Sequence, residues 1–365
     1  MANRLIRTTA RPLSLTILLT WLTTGFAATA PYPPSPVISG ITWDYSSLQH
    51  AAQGSDLWPM TWADDGNLYA SWGDGGGFGG SNTLGRVSLG VARISGGATS
   101  WQGTNVFGGY QAAVPATFDG KSGGLIAINH VLYMSVTQQD TWTYGKVCQS
   151  TDYAKTWACT GWDWTRPFNG LAFLTYGQDY AGSPDSYVYA YNDDSASAVE
   201  TSIVLARVPA NQIMNRSAYQ FFAGLDSSGN PIWSSDITQY KPAFTDPNGV
   251  TFGVRVTYDP GIKRYLLTMA HGSGSGWGMF DAPNPWGPWT TVAYYSSWID
   301  SVPKFGFGLT QKWMSANGTG FEMVFSGLAP YDAWNTISGT FQLVPLAAPA
   351  GPPPAPSGLR LNVSP

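Results

Sequence analysis

One strand-turn-strand pattern recurs five times along this chain, and it limits the available folds more than any other feature. The second strands read NLYASWGD at 67–74, VLYMSVTQ at 131–138, YVYAYND at 187–193, RYLLTMAH at 264–271 and GFEMVFSG at 320–327. Each follows a turn: Asp64-Asp65-Gly66-Asn67, Ile128-Asn129-His130, Gly182-Ser183-Pro184-Asp185, Asp259-Pro260-Gly261 and Ala316-Asn317-Gly318. Gly adopts positive φ freely, Asn and Asp tolerate it, and Pro presets a turn, so these are the residue types hairpins use. Antiparallel hairpins spaced roughly 55–78 residues apart, with no sustained 3.6-residue periodicity after the N-terminus, predict an all-β chain. One short turn of helix is expected around Pro209 to Tyr219.

Five copies predict a five-bladed β-propeller, in which each hairpin belongs to a four-stranded blade around a channel. A six-bladed ring with one degenerate repeat and a β-sandwich are the structural alternatives. Composition agrees with a turn-rich β protein: 43 Gly, 17 Trp and 19 Tyr, and only 11% charged residues.

Residues 1–30 read as a secretory signal peptide. Arg4, Arg7 and Arg11 precede the apolar run Leu13 to Trp21, and Ala28-Thr29-Ala30 offers a small-residue cleavage site. The alternative is an uncleaved anchor, but the apolar core is shorter than the roughly 18 residues a span needs. Residues 31–49 then form a lead-in, 50–345 the propeller domain, and 346–365 a proline-rich linker containing AAPAGPPPAPSG. Without the three arginines of the leader, 15 basic residues face 22 acidic ones, a formal charge of −7. That balance excludes nucleic acid as a natural partner. Cys148 and Cys159 are the only cysteines and flank a turn-like segment, which predicts a cross-strand disulfide in an exported, monomeric protein.

Several motifs dissolve on inspection. Gly75 to Gly80 satisfies G-x-G-x-x-G, but SNTLGRVSLGVARI follows as loop and strand, where a dinucleotide site needs a helix. Gly120-Lys121-Ser122-Gly123-Gly124 lacks the first glycine of a phosphate loop and the following helix of a nucleophile elbow. His50, His130 and His271 have no metal-ligand spacing. Structural calcium stays open at Asp64, Asp65 and Asn67, although a hairpin turn accounts for them; no other metal or cofactor is implied.

The chemistry falls at the opposite end of the first hairpin. Asp56 begins its first strand and Asp74 ends its second, with the turn midway between them. Both carboxylates therefore lie at the end away from the turn, on neighbouring strands with paired Cα atoms about 5 Å apart. The same ends of the other hairpins bring in Gln138, Asn192, Asp193, His271 and Ser326, and the first-strand starts add Lys121, Asn169, Asn248 and Lys304. In a propeller these ends encircle one channel mouth, which predicts a polar pocket with Asp56 and Asp74 as catalytic pair and the others binding substrate. Two carboxyls can hydrolyse a glycoside, one giving a proton to the leaving oxygen while the other acts as nucleophile or activates water. Most tryptophans are expected in the core, with Trp162 and Trp334 as sugar-stacking candidates. The ligand class is a polysaccharide or oligosaccharide. A lyase, using His271 or a tyrosine as base with Lys121 or Lys304 to neutralise a uronate, and a non-catalytic glycan-binding propeller are the competing readings.

Two resemblances bear on this. Ser150-Thr151-Asp152-Tyr153-Ala154-Lys155-Thr156-Trp157 resembles the Asp-box of sialidase-like propellers, with Ala154 at the usual glycine, and implies a structural role for Asp152. GSDLWPMTWADDGNLYASWGDG, with Ser55-Asp56-Leu57 and Trp72-Gly73-Asp74, resembles the start of a secreted family long described as a domain of unknown function, whose characterised members are endo-D-arabinanases with a propeller fold. VETSIVLARVPANQIMNRSAYQFFAGLDSSGNPIW at 199–233 and the WGPW segment extend the likeness in outline over about 50–345. The resemblance implies furanoside hydrolysis with Asp56 and Asp74 as the catalytic pair. The W-P-M-T-W-A-D-D stretch departs from the family's usual wording.

Overall fold

A computed structural model describes residues 29–138, 142–193, 200–272, 274 and 276–345. The proposed leader and the proline-rich linker lie outside these residues, apart from Thr29 and Ala30. All five repeated segments are strands, at Leu68–Gly73, Val131–Gln138, Tyr187–Asn192, Arg264–His271 and Gly320–Ser326. Among the described residues, helix is confined to single 3-10 turns, one of them Arg216–Ala218 within the stretch expected to turn. Among the described residues, no helix is long and apolar enough to cross a membrane.

The strands are laid down as antiparallel meanders in chain order. The first sheet runs Met60–Trp62, Leu68–Gly73, Leu89–Ser95, Gln102–Phe107. The second is built on Gly120–Ile128, Val131–Gln138 and Tyr144–Ser150. A nine-stranded sheet follows, joining one meander that starts at Ala172–Phe173 to another that starts at Pro242–Asp259. The last sheet combines Phe305–Gly308, Gly320–Ser326 and Trp334–Leu343 with the chain's first strand, Ile38–Ala51. The segment read as a lead-in is thus largely an edge strand of that sheet, paired from Ile38↔Leu343 to Ala51↔Trp334. Alternation is weak in Ile38–Ala51 because its register is broken between Asp44 and Gln49.

Packing explains why the second strands are apolar throughout. Leu125 and Ala127 face the first sheet, whereas Ile126 and Ile128 face the third. Leu68, Ala70 and Trp72 pack toward the last sheet, whereas Tyr69 packs toward the second. Successive side chains on a strand point to opposite faces, so a strand sandwiched between two sheets is hydrophobic on both. Trp58, Trp72, Trp313, Val324 and Trp334 join the last sheet to the first. The result is a propeller-like, all-β arrangement whose core lies between sheets, with the first strands of successive meanders side by side.

The disulfide Cys148–Cys159 is present, between directly paired residues. Closing so short a loop contributes about 3 kcal/mol by chain entropy. Beside it, Asp152 accepts hydrogen bonds from Ser150 Oγ (2.8 Å), the Thr156 amide (2.9 Å) and Thr156 Oγ1 (2.6 Å). Asp152 braces a turn.

Candidate active site

The hairpin geometry brings Asp56 and Asp74 together, with one adjustment. Met60↔Ala70, Thr61↔Tyr69 and Trp62↔Leu68 share the register that would set Asp56 opposite Asp74. Asp56 instead bridges Gly73, each amide donating to the other's carbonyl at 3.1 Å. The offset arises at Leu57 and Trp58, whose φ angles of 75° and 47° fold one extra residue into the strand. Trp58 is thereby driven into the core, its indole N–H donating to the Ala333 carbonyl at 3.1 Å. Asp74, with φ 59°, ends the second strand one residue beyond the bridge.

Identical in type, the two carboxyls stand in different fields. Asp56 Oδ1 is buried and accepts no hydrogen bond. Burial first, then the nearby charges of Asp332 and Asp74, push the carboxyl up to about 8, against a smaller opposing pull from Lys121 and Arg86. It therefore carries its proton at neutral pH. Asp74 Oδ1 lies 2.6 Å from Lys121 Nζ and 3.1 Å from Arg86 Nη2. Lys121 also donates to the Ser88 carbonyl at 2.8 Å, which fixes the ammonium. Gly73 separates the two sets: a Cβ there would stand 2.8 Å from Lys121 Cδ and 3.1 Å from Asp56 Oδ1.

Both aspartates line a cavity of about 410 Å³ with Lys121, Thr137, Trp142, Asn169, Asn192, Asp193, Arg255, Phe305 and Tyr331. Four expected binding residues, Lys121, Asn169, Asn192 and Asp193, are therefore on its wall. The amides are tied down: Asn169 Nδ2 donates to the Trp142 carbonyl (2.7 Å) and Asn192 Nδ2 to that of Pro167 (2.6 Å). A much smaller cavity, about 20 Å³, shares Arg255 with the larger one and is otherwise lined mainly by apolar residues such as Trp58 and Leu309.

Residues 122–321, more than half of the chain, match the family described as a domain of unknown function, DUF4185. The chain belongs to this family. The DUF4185 match covers the Asn169, Asn192 and Arg255 wall but not Asp56, Asp74 or Asp332. No curated protein matches the chain significantly. Among solved structures, RS223 β-xylosidase is similar over 81% of this chain and 98% of its own, with a TM-score of 0.50 and 11% identity. The GH43_1 enzyme from Xanthomonas citri complexed with xylotriose has a TM-score of 0.47 and 12% identity, covering 82% of this chain and 94% of its own. A family 117 glycoside hydrolase from Zobellia galactanivorans has a TM-score of 0.43 and 10% identity, covering 83% and 90%. The likeness to the β-xylosidase is one of fold.

Within this DUF4185 fold, five sequence-predicted site residues stand away from the cavity. Asn248 and His271 belong to a packed cluster: His271 stacks flat on Tyr294 at 3.8 Å, and Tyr294 and Asn248 both hydrogen-bond Asp246. Burial holds the His271 imidazole below its usual range. Lys304 turns back to pair with Asp300 and the Val302 carbonyl. Trp334 is 0% exposed, edge-on to Trp58 at 5.1 Å, and has no face to offer a sugar. Trp162 packs against Trp164 and Tyr219. Strand-end arithmetic locates a residue along the strand, but side-chain direction decides whether it faces the channel or a neighbouring sheet.

Three residues of the cavity wall, Tyr331, Trp142 and Arg255, and Asp332 beside Asp56 escaped the sequence reading. Asp332 and Tyr331 arrive on the loop joining the last two strands, at the same end as Asp56. Asp332 is held above the usual carboxylate range by burial and then by Asp74. Its carbonyl accepts the Gly54 amide at 2.7 Å. Tyr331, 41% exposed and 5.3 Å from Phe305, lines the cavity with Trp142 and Phe305 as its aromatic residues. Arg255 comes from a bulged strand. The S-G-L-A-P-Y-D-A-W loop could have been placed by the hairpin rule; Arg255 could not.

Among the described residues, no group of three or more His, Cys, Asp or Glu side chains could hold a metal ion. Asp65 accepts from the Asn67 amide, Asn67 Nδ2 and Tyr69, and so acts as a turn residue.

Proposed function

We propose that the chain is a secreted glycoside hydrolase of five-bladed propeller form that cleaves an extracellular polysaccharide. The observation that carries this reading is the pairing, in one cavity, of a carboxyl kept protonated (Asp56) with an ion-paired carboxylate (Asp74). Asp56 gives its proton to the departing glycosidic oxygen. Asp74 attacks the anomeric carbon or takes a proton from the attacking water, and Lys121 and Arg86 hold its orientation. The cavity volume lies within the range of small-ligand sites, and Trp142 and Tyr331 offer ring surfaces to a sugar.

The five-bladed reading divides the nine-stranded sheet at Pro242–Asp259, where a new meander begins. Export is supported by the leader-like first 30 residues and by the disulfide, and monomeric behaviour is part of the same reading. The resemblance of Ser55-Asp56-Leu57 and Trp72-Gly73-Asp74 to endo-D-arabinanases makes an arabinan-type furanoside the first polymer to test. The lyase reading loses its candidate base, because His271 is buried in another cluster and burial raises Tyr331 further from ionisation.

The test is release of reducing ends from plant, algal and bacterial polysaccharides, arabinans included, by mature protein and by folded Asp56→Asn and Asp74→Asn variants. Release lost in both variants supports the pair. Release that survives either change removes that residue from the chemistry, and binding without turnover points to a glycan-binding protein.

A further inference from the structure

The cavity that holds the two carboxyls is also lined by Arg255, a cation with no ion pair among the described residues. Arg255 lies on Pro242–Asp259, where the ladder to Arg264–His271 is interrupted: Thr251 pairs with Ala270 and Arg255 with Thr268, so the first strand carries two extra residues. A bulge re-aims side chains, and here Gly253, Val254 and Arg255 all reach the cavity wall. Gly253, at φ 80°, could not become a larger residue without strain; a Cβ would also meet Arg255 Nη1 at 3.1 Å.

The guanidinium is engaged on one side only. Nη1 donates to the Val254 carbonyl at 2.8 Å, while Nε is buried with no partner. Asp193, the carboxylate acting on it electrostatically, is committed through Oδ2 to the Gly253 amide at 2.7 Å and forms no ion pair with it. Burial lowers the group only to about 10, so it stays charged at neutral pH. The other cation on the wall, Lys121, is already paired with Asp74. Neighbouring donors are largely engaged: Thr137 Oγ1, Asn169 Nδ2 and Asn192 Nδ2 each donate to a backbone carbonyl. A buried, unpaired cation is costly, and a ligand carboxylate that matches its planar fork removes that cost.

We propose that Arg255 is a specificity residue that selects a sugar bearing a carboxylate, a uronic acid residue of the polymer, beside the bond placed between Asp56 and Asp74. The inference rests on the hydrolase reading and not on its arabinan form. Neutral arabinan becomes the control.

Binding separates the two claims, because it needs no turnover. Uronate-containing oligosaccharides are titrated into the mature protein beside the same oligosaccharides with every carboxyl reduced to the alcohol, and beside sulfated and neutral ones. The acid form should bind about tenfold or more tightly than its reduced twin, consistent with a charge-assisted bidentate pair. Arg255→Gln should abolish that ratio, Arg255→Lys should retain part of it, and Asp193→Asn should increase it by removing a competing charge. Equal binding of acid and reduced forms, absence of binding to all of them, or a ratio unchanged in Arg255→Gln overturns the proposal. Preference for sulfated over uronate ligands overturns its carboxylate part, and weaker acid binding in Asp193→Asn points instead to hydroxyl recognition by the Arg255 and Asp193 pair. Reducing-end release without acid preference sinks the inference and leaves the hydrolase. Acid-selective binding without release does the reverse.

Discussion

The two ends of the first hairpin carry the same residue type and treat it in opposite ways. At the turn, Asp64 is half-buried; burial raises its carboxyl, but hydrogen bonds with His130 (2.6 Å) and Tyr153 (3.1 Å) together outweigh that and hold it below the usual range. At the open end, Asp56 Oδ1 is buried without a hydrogen-bond partner and the carboxyl is pushed up to about 8. A carboxylate at the turn ties neighbouring hairpins together, since His130 also meets Asp179. The carboxyl at the mouth holds a proton that chemistry can use. Environment, not residue identity, assigns the roles.

The strongest test removes the mouth carboxyls. Asp56→Asn and Asp74→Asn should each lower turnover by about 10²–10⁴-fold, the usual scale for acid-base groups, whereas Asp64→Asn should leave turnover unchanged. Steady-state rates on the polymer found active check this, and equal losses at both ends would erase the contrast.

Glycines sharpen it next. Gly73→Ala pushes a methyl group against Lys121 and Asp56 and should cost at least about tenfold in turnover while the protein stays folded. Gly66→Ala has open space around it but φ 80°, so it should leave turnover intact and cost about 1 kcal/mol of stability. Denaturant unfolding beside kinetics separates the two outcomes.

Titration comes third. The Asp56 carboxyl binds its proton more tightly folded than unfolded, where its value is about 3.9. Its contribution to stability is therefore complete below about pH 4 and is lost as pH rises through about 8. The midpoint of thermal unfolding should fall over that window, less steeply in Asp56→Asn, and turnover should decline on the alkaline side as the proton is lost. A slope identical in the variant would contradict the assignment.

The smallest effect belongs to the turn. His130 is 74% exposed at its side chain, and its imidazole is held above the usual range by its hydrogen bond to Asp64. The stabilisation is full below about pH 6.5 and fades as pH rises through the raised value. Exposed pairs contribute little, so His130→Ala should barely move the unfolding midpoint, and only on the acid side. A large shift would mean that the turn end carries more of the fold than its exposure implies.

Much of the architecture was legible because a hairpin is written locally. Turn residues and apolar strands lie within about a dozen positions of one another, and all five repeated strands were recovered together with the disulfide. The same arithmetic placed Asp56 beside the end of the next strand, missing its partner by one residue because positive φ at Leu57 and Trp58 leaves no clear trace in the letters. Lys304, His271, Asn248 and Trp334 were located along their strands yet assigned to the wrong side. Ile38–Ala51 was missed because its partner, Trp334–Leu343, lies at the far end of the chain.

The sequence by itself determined the strands, the turns between them, the cross-linked pair of cysteines and the end of the first hairpin at which two aspartates meet, all of which depend on contacts near in the chain. Only the tertiary structure decided that Arg255 joins them, that Asp56 keeps its proton and Asp74 meets two cations, and that Arg255 lines the cavity with no ion pair among the described residues. Burial and charge at the mouth are sums over sheets distant in sequence, and no local pattern encodes them.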